Sequence, residues 1–241
     1  MGRQCVRQTL LWLWCWSSTA HLVTSTIMND NFFKVSNPTF PSLSGCSLST
    51  WPVTKTLYCA ALCQRNPRCT LFCLSEGACQ LYQARVGRNW AADVGTLMAG
   101  SCYSNWGSTI MNNVSVTAPL NANSAYGIDG FYCNDFNYIF CSQSMANAYY
   151  AVSLGTLRAV TSVKICTFYG YFSDVEVRVG NSSSYSTAFA ANTLLGSYPG
   201  SVHDYTVITF TAAQPIVGII VSVLQKTNGF LCFGDLQVFA L

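Results

Sequence analysis

Four cysteines, spaced Cys59-x3-Cys63 and Cys69-x3-Cys73, could do chemistry as two thiolate pairs on a zinc ion or as members of disulfides. Zinc sites usually separate their pairs by a longer loop, and a chain made in an oxidising compartment oxidises such thiols, so the disulfide reading is preferred. Hydrolysis would need a nucleophile, a base and an orienting acid in one pocket. His203-Asp204 is the available raw material, with no distinctive Ser or free-Cys motif beside it, and His203 reads as a loop residue. The sequence shows no glycine-rich phosphate loop, histidine pair at metal spacing or dinucleotide fingerprint, and the expectation is a protein that is not an enzyme. Two aromatic clusters remain. The first runs Phe131-Tyr132-Cys133-Asn-Asp135-Phe136-Asn137-Tyr138-Ile-Phe140-Cys141, with a Cys133–Cys141 bridge expected to close it, and the second is Phe168-Tyr169-Gly-Tyr171-Phe172. Such rings can stack on the apolar face of a pyranose while Asp and Asn side chains bond its hydroxyls. The competing reading is that half of these rings are ordinary core.

The elements that must carry these groups are built from few charges. Charged residues are 9% of the 241, far below the quarter usual for a soluble chain, while hydrophobic residues are 51%, which excludes intrinsic disorder. Arg3 and Arg7 precede the apolar run Leu10 to Trp16, and Ser18-Thr19-Ala20 offers small residues to a signal peptidase. The expectation is a signal peptide over residues 1–20 and a secreted, extracellular product with no transmembrane segment. Cleavage after Ala20 removes two basic and no acidic residues and leaves a net charge of +1, which argues against nucleic acid as a partner. Two of the thirteen cysteines lie in that segment, and eleven remain. Most should be paired, and the odd total leaves at least one thiol free or bonded to another chain. Seven of the eleven fall between Cys46 and Cys102, so two modules are expected: residues 21–105 and 113–241, joined by a junction at 106–112. Asn113 and Asn181 open glycosylation sequons.

In the first module, the stretch from Thr54 to Arg65 lacks Gly and Pro and reads as a helix capped by Thr54 and ended by Asn66-Pro67. Cys69 to Leu74, the turn Ser75-Glu-Gly77, and Ala78 to Tyr82 read as a β-hairpin stapled to that helix. From Asn31 to Tyr103 this arrangement resembles the PAN/apple domain. The resemblance implies Cys46–Cys102, Cys59–Cys79 and Cys63–Cys69 pairs with Cys73 as the extra thiol, although Cys73 could equally displace Cys69. It also implies an α+β, disulfide-rich module that binds proteins or carbohydrates. Cys73 then offers a route to self-association.

After Asn113, short β-branched runs separated by Gly, Asn and Ser predict a β-sandwich. The expected strands are Val163 to Cys166, Val175 to Gly180, Val207 to Phe210, Val217 to Leu224 and Leu236 to Phe239; Ile216 to Leu224 should be covered on both faces. In order, Ala122-x-Ser124-x-Tyr-Gly-Ile128-Asp129-Gly130, Tyr149-Tyr150-Ala-Val152-Ser-Leu154-Gly155, Val175-x-Val177-x-Val179-Gly180 and Cys232-Phe-Gly-Asp235-Leu-Gln-Val238-Phe239 resemble the discoidin-like fold, also called coagulation-factor C-terminal or fucolectin-type. That resemblance implies an all-β, galactose-binding-like jelly roll whose loops at one end bind glycans, lipid head groups or proteins. The fucolectin His and two Arg are not matched, because Thr167-Phe168-Tyr169-Gly170 stands where that family has its Asn-Arg-x-Asp. The ligand residues expected instead are Phe131, Tyr132, Asp135, Phe136, Asn137, Tyr138, Phe168, Tyr169 and Tyr171. The first loop has acids and no Lys or Arg, which disfavours anionic lipid. Calcium is the one metal to consider: by resemblance its ligands would be Asp129 and Asp235, but the preferred reading is a turn cap at Gly130 and a backbone contact. Cys166 and Cys232 are counted with the disulfide cysteines. A lectin-like protein that binds extracellular glycans or glycoproteins is the first expectation, and a non-glycan adhesion or matrix protein the second.

Overall fold

A computed structural model describes residues 32–36, 39–87, 90, 96–106, 114–119, 123–133, 136–202 and 205–241, with the side chains of Thr96 and Phe136 left aside. The expected signal peptide, His21, Asn113, positions 107–112 of the junction, Asp135, and the His203-Asp204 pair lie outside the described residues.

The first half contains β1 (Phe33–Lys34), β2 (Thr39–Phe40), β3 (Ser47–Trp51), α1 (Thr56–Arg65), β4 (Leu71–Ser75), β5 (Ala78–Tyr82), β6 (Arg85–Val86), β7 (Thr96–Leu97) and β8 (Ser101–Ser104). Five strands form one sheet in the order β1-β8-β4-β5-β3. The β4–β5 hairpin closes on two residues, Glu76 (φ 45°) and Gly77 (φ 81°), and this pair of positive φ values twists the turn in the sense of its strands. Helix α1 starts from Lys55 with no side-chain cap, so Thr54 does not serve as the cap expected of it, and it ends at Asn66, whose N–H bonds the Cys63 carbonyl. Ten residues are too few for an isolated helix to be stable. The Cys59–Cys79 disulfide, as the resemblance implies, and Cys63–Cys69, one of the two pairings left open for Cys63, tie α1 to β5 and to the chain entering β4.

The remaining pairings differ from expectation, because strand register decides them. Cys73 and Cys102 face each other across β4 and β8, with Cα atoms 4.0 Å apart, and bond together. Cys102 is therefore not the partner of Cys46. Cys46 bonds Cys133, 87 positions on, so Cys133 does not close a loop with Cys141. Cys141 in turn faces Cys232 across another strand pair and bonds it. Cys166 is the free thiol among the described residues and is fully buried, not a disulfide cysteine as counted above. Cys73, bonded and buried, is no route to self-association.

The second half contains β9 (Ser115–Thr117), β10 (Phe131–Tyr132), β11 (Phe140–Cys141), β12 (Tyr149–Thr167), β13 (Ser173–Gly180), β14 (Thr193–Ser201), β15 (Val207–Gln225) and β16 (Cys232–Ala240). Its sheet runs β11-β16-β12-β15-β13-β14, with β9 also on β12. The 19-residue strands β12 and β15 are its spine, and their register shifts between Ser153 and Arg158 and between Val160 and Ser162. Before the first shift β12 lies between β15 and β9; beyond it β12 lies between β15 and β16, so the pair passes from one layer of the sandwich into the other. Val152, Val163, Ile165, Val175, Val177, Val179, Val221, Val223, Leu236 and Val238 fill the core between the layers. Each run expected to be a strand lies in one of these elements. The Ile216 to Leu224 run is covered on both faces only from Val221 onward: Val217 is 59% exposed next to the register shift, and Ile216, Ile219 and Ile220 are half-buried.

The halves interlock. Strand β10 pairs with β6, Phe131 opposite Val86 and Tyr132 opposite Arg85, and Gly87 donates its N–H to the Gly130 carbonyl at 2.6 Å. Phe131 packs against Phe40 and Trp90 of the first half, while Tyr132 points into a different cluster with Trp106, Cys166 and Phe168.

Candidate functional site

Three connections meet at one pole of the sandwich: residues 168–172 between β12 and β13, the one between β14 and β15, described at Val202, Tyr205 and Thr206, and residues 226–231 between β15 and β16. Gly170, at φ +73°, turns the first of them. Backbone bonds then lace the three together. Gly170 N–H donates to the Val202 carbonyl, Val202 N–H to Phe172, Cys232 N–H to Tyr171 and Lys226 N–H to Asp174, at 2.7–3.1 Å. Asp174 adds a side-chain bond, its Oδ1 accepting the Gly200 N–H at 2.7 Å.

On this frame Phe168 is buried and supports a surface of rings. Tyr171 stacks on it at 6.2 Å and Tyr205 meets it edge-on at 5.3 Å. Tyr169 lies 6.5 Å from Tyr205, and Phe230 lies 5.9 Å from Tyr171. Four of these rings are open to solvent: Tyr169 (53% exposed), Tyr171 (41%), Tyr205 (37%) and Phe230 (44%). The start of the third connection, with strands β13 and β14, borders a shallow groove of about 320 Å³ lined by Asp174, Glu176, Tyr198, Pro199, Lys226 and Thr227. Glu176 is held from two sides, by Arg178 at 2.9 Å and by Lys226 at 3.7 Å. None of the four open rings lines this groove, whose open surface is more apolar than polar.

The structure brings together only part of the expected ligand set. Tyr169 and Tyr171 are in the open patch. Phe131, Tyr132 and Phe168 are buried and cannot meet a ligand face-on, a correction to the expected site. The reason is that β10 is covered on both faces, Phe131 by the first half and Tyr132 by the Trp106 cluster. Asn137 is exposed, and Tyr138 is half-buried against Phe131 and Tyr126, away from the rings of the patch. Tyr205 and Phe230 were missed. Their signal was a single ring among turn-forming residues, Tyr205 after His-Asp and Phe230 after Thr-Asn-Gly.

Beneath the pole lies a buried polar cluster. Asp129 Oδ1 accepts the Phe131 N–H at 2.8 Å, the turn role preferred for it, and Asp235 Oδ2 accepts the Trp106 indole N–H at 3.0 Å. Burial, then the neighbouring Asp235 charge, push the Asp129 carboxyl up to about 9. Burial also raises Asp235, against the opposing pull of Trp106, backbone N–H groups and Arg85. Asp235 Oδ1 has no hydrogen-bond partner. Calcium takes six to eight oxygens. Here one carboxylate closes a turn, the other bonds an indole within electrostatic reach of a guanidinium, and among the described residues no three His, Cys, Asp or Glu side chains converge. These residues do not fit calcium.

No protein-family model matches the chain, and no curated protein matches it. Solved structures do. A fucolectin from striped bass (Morone saxatilis) serum is 11% identical with a TM-score of 0.48, covering 73% of this chain and 73% of its own. The family 32 carbohydrate-binding module of NanJ from Clostridium perfringens, solved with galactose, is 20% identical with a TM-score of 0.41, covering 52% of this chain and 91% of its own. A fucose-binding module from Streptococcus pneumoniae is 10% identical with a TM-score of 0.45, covering 56% and 98%.

Proposed function

We propose that this chain is a secreted, extracellular recognition protein of the lectin type, which binds a glycan or glycoconjugate at the pole formed by residues 168–172, Val202, Tyr205, Thr206 and residues 226–231. The observation that carries the reading is the set of four solvent-open rings, Tyr169, Tyr171, Tyr205 and Phe230, backed by buried Phe168. Exposed aromatic rings cost free energy unless something covers them, and a pyranose offers an apolar face for stacking on them. The backbone bonds lacing the three connections hold the rings in place before a ligand arrives, which lowers the ordering cost of binding. Five disulfides support the extracellular assignment, since such bonds persist in oxidising compartments. We read the first half as a PAN/apple-like module on its helix, hairpin and two shared disulfides, and the second as a galactose-binding-like sandwich. Asn181 is exposed on the sandwich surface, as a glycosylated sequon requires.

A glycan array with the secreted protein, followed by titration of the best hit into Tyr171→Ala, tests this. Loss of one stacked ring should weaken binding roughly tenfold, given about 0.5–1.5 kcal/mol per aromatic contact beyond area burial. A blank array on folded protein would favour the alternative, an adhesion or matrix protein that covers the same rings with a protein partner.

A further inference from the structure

Where the two halves meet, next to the ring patch, a small cavity of about 50 Å³ is lined by Gly45, Cys46, Gln83, Arg85, Tyr132 and Tyr205. Arg85 is its charged wall, and several observations mark this arginine as unusual. It is buried, only 8% exposed. Its Nε has no hydrogen-bond partner, and it makes no ion pair among the described residues. Its guanidinium lies 5.3 Å from the Trp106 ring and 5.7 Å from the Tyr132 ring, which fix its plane. Its place on β6, opposite Tyr132 on β10, sets it at the seam between the halves. Asp235, an acid within electrostatic reach, bonds Trp106 through Oδ2 and leaves Oδ1 without a hydrogen-bond partner, but it forms no ion pair with Arg85.

A buried guanidinium without a paired anion is costly, and it is the side chain best shaped to take a carboxylate or sulfate through two parallel N–H donors. The cavity exceeds the space of a single water and suits one small charged substituent. Tyr205 lines the cavity and also belongs to the exposed patch, contacting Phe168 and Tyr169, so a sugar lying on the patch has its edge beside the cavity mouth.

We infer that Arg85 and Gln83 form an anion subsite, which takes the sulfate or carboxylate substituent of an acidic glycan whose ring rests on Tyr205 and its neighbours. This deepens the glycan reading and rests on it for the orientation of the sugar. It makes the first half a contributor to specificity, since both polar residues come from there.

The test compares one oligosaccharide backbone in neutral, sulfated and uronic-acid forms by calorimetry, on the full chain and on Arg85→Gln, Gln83→Glu and Tyr169→Ala. Inorganic sulfate, followed through the Arg85 Nε–H signal, serves as a glycan-free probe. The expected result is an acidic form bound on the order of tenfold more tightly than the neutral one, the size of a charge-assisted hydrogen bond. Arg85→Gln should remove that preference and leave neutral binding unchanged; Tyr169→Ala should weaken every form alike. If Arg85→Gln does not fold, Gln83→Glu, which sets a carboxylate against the incoming anion, must abolish the preference. Equal affinity for all three forms overturns the subsite and leaves the pole reading standing. A sulfate response without any glycan binding supports the subsite and overturns the pole reading. No response to sulfate and no preference for an acidic form overturns the subsite outright.

Discussion

A carboxyl group that loses water without gaining a full counter-charge holds its proton more tightly. Asp129 is in that position: burial and the Asp235 charge raise it to about 9, and the backbone N–H groups of Phe131 and of Asp129 itself do not offset them. The unfolded chain releases the same proton near the ordinary carboxylate value of about 4. Between those limits the folded state carries a proton that the unfolded state has lost, so stability falls as pH rises through that window and is greatest below it. The expected outcome is a melting temperature that declines from about pH 4 toward pH 9, and a shallower decline for Asp129→Asn, whose neutral amide keeps an acceptor for the Phe131 N–H. Thermal melts of both proteins across that range check the sign; a rise with pH would contradict it. The reactive inventory is otherwise quiet, since burial raises the Cys166 thiol well above its normal range and withholds the thiolate needed for exchange.

Local elements show which parts of the fold could be read from the sequence. The β4–β5 hairpin was legible because Ser-Glu-Gly-Ala places a glycine at a position needing positive φ, and both strands beside it are short and apolar. Glu76 is the imperfect half of that turn, held at φ 45° without the small polar side chain that favours this region. Glu76→Asn should stabilise the protein by about 0.5–1 kcal/mol, read as a shift in denaturation midpoint at constant slope. The α1 staples were equally local, with cysteines 20 and 6 positions apart. The long-range pairs were not legible. Cys73 meets Cys102 because β4 and β8 adopt one register, and Cys141 meets Cys232 through another, neither of which is written in spacing. The rings posed the same difficulty at the candidate site. Tyr169 and Tyr171 are exposed, whereas Phe131 and Tyr132 carry the same chemistry and are buried because β10 is covered on both faces. What separates the two groups is tertiary packing, which composition and periodicity do not carry.

At the scale of the whole molecule, an N-terminal disulfide-rich half and a C-terminal sandwich share a seam that local reading assigned to a ligand loop. Three kinds of interaction cross it: the β6–β10 pairing, the packing of Phe131 on Phe40 and Trp90, and the Cys46–Cys133 bond. Those contacts join the halves, with Arg85 and Tyr205 lining one cavity, so the two are expected to unfold as a single cooperative unit. The bond closes a long loop, 87 positions between its cysteines, so a chain-entropy argument assigns it about 4 kcal/mol, discounted slightly because Cys73–Cys102 already shortens that loop. Calorimetry of the intact protein should show one transition. In the double variant Cys46→Ser/Cys133→Ser the transition should fall to lower temperature and divide in two, because the paired strands and the Phe131 cluster alone hold the halves less tightly. The ring patch at 168–172 and 226–231 lies within the sandwich and should survive that change. A neutral ligand stacked there would keep its affinity, while any preference that depends on Arg85 would be lost, since that side chain reaches the site only through the seam. An undivided, unshifted transition in the double variant would show that the bridge contributes nothing to holding the halves together.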